Sequence, residues 1–149
     1  MSKIEICGRS GACVALTIYK TTLQNYIDRV FKAINETDEG IIWYICNEED
    51  LPNNWKPKWK IQMHSMAFHA KPRYGVCDYR NRKIWISTVA LRSAAFPPTK
   101  SGKERLVEVI IDEYTHIKTQ AGHDSDIYNK QKCEYLQKYY NFYLYLETI

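Results

Sequence analysis

Residues 110–128 read IIDEYTHIKTQAGHDSDIY and hold both a helix and its end. Leu106, Val109, Ile110, Glu113 and Ile117 recur along one side at helical spacing. A helix is therefore expected to begin at Lys103 and to stop at Gly122, a C-cap residue. Side chains four apart on a helix share a face, so Asp112 and His116 point the same way, with Glu113 flanking them. His123 returns just past the break at Gly122. Two side chains one turn apart can grip a metal ion, and a third ligand can come back after a turn. The intervening Glu113 then stands where it can take a proton from metal-bound water. Taken singly, each residue has a plainer reading. Asp112 can be a solvated helix residue, Glu113 a buried acid satisfied by a Tyr hydroxyl, His116 a core histidine and His123 a cap on the helix dipole. The four together, at this spacing, favour the site.

Outward from that stretch, Asp124 or Ser125 can cap a last helix running to about Leu146, with Ile127, Leu136, Tyr139, Tyr140, Tyr143 and Leu144. Upstream, residues 97–102 form a loop marked by its PP and SG pairs. Residues 83–88 are a strand with Ile84 and Ile86 on one face and Trp85 on the other. Residues 72–81 are a turn-rich connection, and 59–68 alternate loosely as another strand. Residues 47–57 are a polar, proline-containing loop. The unbroken apolar run 41–46 suits a strand buried on both faces. Thr21 and Thr22 cap an amphipathic helix over 22–35, carrying Leu23, Tyr26, Ile27, Val30 and Ile34. Residues 14–19 are either a short strand or the lead-in to that helix. The order is helix, three strands, helix, helix: one α+β domain over residues 1–149.

The 149 residues are about one domain's worth. Hydrophobic residues at 45% and charged residues at 26% exclude collagen, a coiled coil and wholesale disorder. A net charge of +4 permits contact with nucleic acid without demanding it. The 5 cysteines are odd in number and form no CxxC, which suits mostly buried thiols in a reducing compartment. A Cys7–Cys13 bridge is the open alternative. No signal-peptide h-region and no apolar run of the ~18–20 residues that span a bilayer occur, so an intracellular, soluble protein without membrane partners is expected. No Ser-His-Asp arrangement, G-x-S-x-G or P-loop is readable.

Residues 73–128 resemble the core of the SprT-like and Wss1-like zinc metallopeptidases and of the related YgjP-type hydrolases. The likeness rests on Arg73-Tyr74-Gly75-Val76-Cys77, then Lys83-Ile84-Trp85-Ile86-Ser87, then Pro97-Pro98. Asp112-Glu113-Tyr114-Thr115-His116 follows, and then Gly122-His123-Asp124 with Tyr128. The resemblance implies a zincin-like fold: an N-terminal helix, a small sheet of three or more strands, an active-site helix and a C-terminal helix. It implies metal-assisted peptide-bond hydrolysis on a polypeptide substrate, with zinc or another divalent cation such as manganese at Asp112, His116 and His123, and Glu113 as general base. Tyr128 or Tyr114 would donate to the oxyanion, and strand 83–88 would lie beside the cleft and hold an extended peptide by its backbone.

Two features depart from the family pattern. The gap from His116 to His123 is one residue longer, and the motif reads DExxH where the family has HExxH. Aspartate ligates zinc at about 2.0–2.2 Å but reaches roughly 1 Å less far than an imidazole. It also lowers the net charge of the site, so a bound water is less acidified. Three outcomes stay open: a metal held with shifted geometry or a harder preference such as manganese or iron, an inactive relative that keeps the fold, or a carboxylate that silences the enzyme.

A second class of function is also written in the chain. Lys56, Lys58, Lys60, Lys71, Arg73, Arg80, Arg82 and Lys83 face a single acid, Asp78, and Trp55, Trp59, Tyr74 and Tyr79 are interleaved. Such a mixture suits single-stranded nucleic acid, with phosphates on the charges and bases on the rings; its plainer reading is a solvated basic face with the rings turned inward. The resembling families act on proteins attached to DNA. The alternative function is thus a non-catalytic module on the same fold that binds nucleic acid or a protein partner. His64 with His69, or Cys77 with His69, form thinner auxiliary metal candidates, and Cys133 reads as core.

Overall fold

Trp43, Ile45, Ile84 and Ile86 are fully buried and set the plane on which the helices lie. They belong to β2 (Ile42–Cys46) and β4 (Lys83–Ser87), parallel neighbours paired from Ile42↔Lys83 to Cys46↔Ser87. The computed structural model describes residues 1–7, 13–52, 73–95 and 98–148. Within them the sheet order is β1 (Lys3–Ile6), β2, β4, β3 (Gly75–Asp78), with β1 parallel to β2 and β3 antiparallel to β4. The helices are α1 (Cys13–Ile34), α2 (Thr88–Ala95), α3 (Lys100–Thr119) and α4 (Asp126–Thr148). The class is α+β.

Alternation decides which face of the sheet is buried. Trp43, Ile45, Ile84 and Ile86 join Leu23, Ile27, Val30, Leu106, Ile110 and Ile117 from the helices in one core. The opposite face carries Tyr44 stacked on Trp85 at 5.1 Å, and a small cluster of Cys46, Leu51 and Val76. β2 is therefore not buried evenly on both faces: Tyr44 stays half-buried. Ile84 and Ile86 do lie opposite Trp85.

Several boundaries differ from expectation. α1 starts at Cys13, so residues 14–19 are helix, and Thr21 and Thr22 lie inside it rather than capping it. A buried apolar stripe outweighs the weak penalty of threonine in a helix interior. α1 ends where Asn35 adopts a left-handed conformation (φ 57°) and Glu36 N–H donates to the Phe31 carbonyl at 3.1 Å, a Schellman closure. β3 forms within the segment expected as a turn-rich connection, and β1 and α2 fall where the sequence raises no expectation. β1 and β3 have 4 residues each, too short for periodicity to declare them. The strand expected over 59–68 lies outside the described residues.

α3 begins earlier than expected, at Lys100, because the Thr99 hydroxyl accepts from Gly102 N–H at 2.9 Å. Gly102 is demanded by contact: a Cβ there would collide with the backbone of Ser93 in α2. α3 ends at Thr119, with Gln120 rather than Gly122 in the left-handed conformation (φ 53°). Gly102→Ala should cost about 1–3 kcal/mol through overpacking, seen as a fall in thermal midpoint. Gly122→Ala, which meets nothing within 4 Å, should leave the midpoint nearly unchanged.

Candidate metal centre

The last two turns of α3 present Asp112 and His116 on one side, as 3.6-residue periodicity requires. Gln120 then reverses the chain, and the carbonyl of Ala121 comes back beneath His116, where Nδ1–H donates to it at 2.8 Å. That bond fixes the tautomer and puts the ring's lone pair on Nε2, the atom that accepts from His123 Nε2–H and that can instead ligate a metal. Gln120 secures the reversal by donating to the carbonyls of Ile117 (2.9 Å) and Tyr79 (2.8 Å). The turn continues through Ser125 N–H to the Gly122 carbonyl, and Asn129 of α4 donates to the carbonyls of His123 (3.1 Å) and Ser125 (3.0 Å). This chain of bonds spans the 7 positions from His116 to His123.

The result is convergence. His116 Nε2 lies 3.2 Å from His123 Nε2 and 3.8 Å from Asp112 Oδ1. One ligand atom from each of the three residues falls within 4.8 Å of the others, so the group can hold a metal ion. A tetrahedral ion with bonds near 2.0–2.2 Å places neighbouring ligand atoms about 3.3 Å apart; the two imidazole nitrogens already stand at that distance, and the carboxylate oxygen stands somewhat farther out. Asp112 Oδ1 is buried and has no hydrogen-bond partner. Such an orphaned oxygen is costly unless something positive meets it. Lys132 Nζ stands 3.5 Å away.

The walls are aromatic. Tyr128, completely buried, stacks on His116 at 4.3 Å and meets His123 edge-on at 4.9 Å. Tyr79 lies near-parallel to His116 at 6.4 Å. Burial, the dominant cause, holds the His116 imidazole below its ordinary pKa against the opposing influence of the Ala121 bond and Asp112. The ring is therefore biased toward the neutral form that ligates metal.

Glu113 is buried and faces β3: Gly75 lacks the Cβ that would come within 3.4 Å of the Glu113 side chain and 3.0 Å of Val109. Glycine at that point lets β3 lie directly on α3. Burial first, and then the charge of Asp112, push the Glu113 carboxyl well above its usual range, with Lys132 acting against them. Cys77 of β3 is raised too, by burial and then by Glu113, and is a thiol rather than a thiolate.

Other expected residues are distributed differently. Tyr114 is not brought to the ligand set. Two positions from Asp112 on the helix, it turns into the core and donates to Glu36 Oε2 at 3.1 Å. Tyr135 donates to Glu36 Oε1 at 2.8 Å, and Lys118 stands 3.4 Å from the same oxygen. The Tyr128 hydroxyl has no partner and is buried, so this residue supports the imidazoles rather than facing solvent. β4 is paired on both sides, so its backbone has no free edge for a peptide. Arg73 donates to the Pro52 carbonyl at 2.7 Å, and Arg82 to the Glu39 carbonyl at 3.1 Å, while Arg80 is exposed. Lys56, Lys58, Lys60, His64 and His69 lie outside the described residues. Cys133 is exposed rather than core: it falls on the outer side of α4. Asn129, Lys132 and Tyr79 were missed. No local pattern in the sequence marks them, since Asn129 and Lys132 meet the site only because α4 folds back on α3.

No family model matches the chain, and no curated protein matches it. None of the helices among the described residues is long and apolar enough to cross a membrane.

The two tyrosines predict opposite outcomes. Tyr114→Phe breaks the bond to Glu36 and should lower stability by about 1 kcal/mol. Tyr128→Phe removes a buried hydroxyl that bonds to nothing and should leave stability equal or higher. Denaturant midpoints at constant slope check both.

Proposed function

We propose that the chain is a metal-dependent peptide-bond hydrolase of the SprT-like type, with Asp112, His116 and His123 holding a divalent cation, zinc or manganese. The observation that supports this reading is the convergence of three ligand atoms within 4.8 Å around an Asp112 oxygen that lacks a hydrogen bond. The donor set of two imidazoles and one carboxylate is a catalytic rather than a closed structural set. A divalent ion bound there acidifies water and polarises a carbonyl.

The chain's own groups do the rest. Ala121 keeps His116 in the ligating tautomer, and Asn129 keeps His123 in place. Glu113, next to Asp112 and away from bulk water, takes the proton of the attacking water on its carboxylate and returns it to the leaving amine. β3 is the strand that lies against α3, and among the described residues its outer edge has no strand partner. An extended polypeptide can add there. Of the basic residues put forward for nucleic acid, Arg73 and Arg82 are, among the described residues, engaged with backbone carbonyls.

The test is a metal-stripped protein titrated with zinc and, separately, manganese. Thermal midpoint should rise with added ion, and the rise should vanish in His116→Ala and His123→Ala. Cleavage of an unfolded protein such as casein should require the ion. Glu113→Gln should lower it about 10²–10⁴-fold while keeping the metal and the fold, because the replaced carboxyl is buried and similar in shape. Asp112→His should raise cleavage. Cleavage that persists in Glu113→Gln, or that no ion affects, refutes the reading.

A further inference from the structure

Asp112 Oδ1 faces two claimants. It is the oxygen 3.8 Å from His116 Nε2, and it is also the oxygen 3.5 Å from Lys132 Nζ. The ammonium is close enough to neutralise the carboxylate but makes no hydrogen bond to it, for that oxygen is left without one. Lys132 thus supplies charge without a directional bond, in the way a loosely seated ion does. It comes from the second turn of α4, the helix whose Asn129 and Tyr128 hold and floor the two histidines. Its side chain is 32% exposed, so the ammonium has a way out to water.

We propose that Lys132 is a built-in competitor for the cation site, its ammonium occupying the charge position at Asp112 Oδ1 that a divalent ion must take over. This rests on the metal-centre reading above and adds regulation to it. An ammonium and a dication on one carboxylate oxygen repel each other, so binding requires Lys132 to swing aside. The cost is the same for every divalent ion. Ions that bind nitrogen and oxygen donors weakly, such as manganese, fall below useful occupancy before zinc does. Lys132 therefore sets a threshold that selects strong binders. It also explains how a carboxylate at position 112 is tolerated when no ion is present: the charge is already met.

The experiment measures the affinity of the purified full chain for zinc alone and for manganese alone, by competition with a chromogenic chelator. Variants are Lys132→Met, Lys132→Gln and Lys132→Arg, with circular dichroism to establish the fold. Lys132→Met and Lys132→Gln should bind both ions about tenfold more tightly or better, the scale on which groups around a metal site act. Lys132→Arg, which keeps the charge, should stay near the wild-type value. The gain should disappear when Asp112→Ala is added to Lys132→Met. His-dependent zinc binding that is no tighter in Lys132→Met and Lys132→Gln than in wild type overturns the competitor alone and leaves the metal centre standing. Zinc binding that is absent from every variant, or indifferent to His116→Ala and His123→Ala, removes the metal centre and the competitor with it.

Discussion

The hydrogen bond from His116 Nδ1 to the Ala121 carbonyl is the constraint on which the centre depends. It forms only because Gln120 takes the left-handed conformation and ends α3 one turn beyond His116. The same bond chooses the tautomer, orients the ring and starts the reversal that carries His123 back. A helix end, an imidazole's protonation pattern and the return of a second ligand are thus one event. Everything around it serves to keep that event from relaxing: the carbonyl bonds of Gln120, the Asn129 clamp and the ring of Tyr128.

The electrostatics of the centre follow from where α3 lies. Its outer face is shared between β3 and α4, so Glu113 falls against the strand and Asp112 against Lys132. Adjacent carboxylates in a poorly hydrated place cannot both hold charge freely. The molecule separates their surroundings: Asp112 keeps a cation nearby, while burial and the Asp112 charge raise the Glu113 carboxyl above its usual range, which makes it a stronger base when ionised. That division comes from packing geometry rather than from the identity of the two residues.

Much of this was legible in the sequence where periodicity and chemistry coincide. The spacing of Asp112, His116 and His123 does bring three ligand-type atoms together; α3 and α4 lie near their expected places because long apolar stripes declare themselves, and β2 and β4 because compact Ile- and Trp-rich runs stand between polar turns. What escaped was short or relational. Strands of 4 residues such as β1 and β3 show too few alternations, and α2 has only 8 residues. Gly122 looked like the helix stop on propensity, but the Ala121 bond and the Gln120 side chain place the reversal two residues earlier. Tyr114 sat beside the motif in sequence and away from it in space, since two residues on a helix span more than half a turn. Lys132 carried no local mark at all: its role comes from α4 folding back.

Behind the centre, Glu36 gathers the hydroxyls of Tyr114 and Tyr135 and the ammonium of Lys118 at the end of α1. One carboxylate therefore bolts three helices together from the rear. α3 is thus fastened through Tyr114 and Lys118 on one side, while Asp112 and His116 meet His123 on another. The clamp that joins the helices and the meeting of the imidazoles therefore draw on separate side chains, and neither has to yield for the other to form.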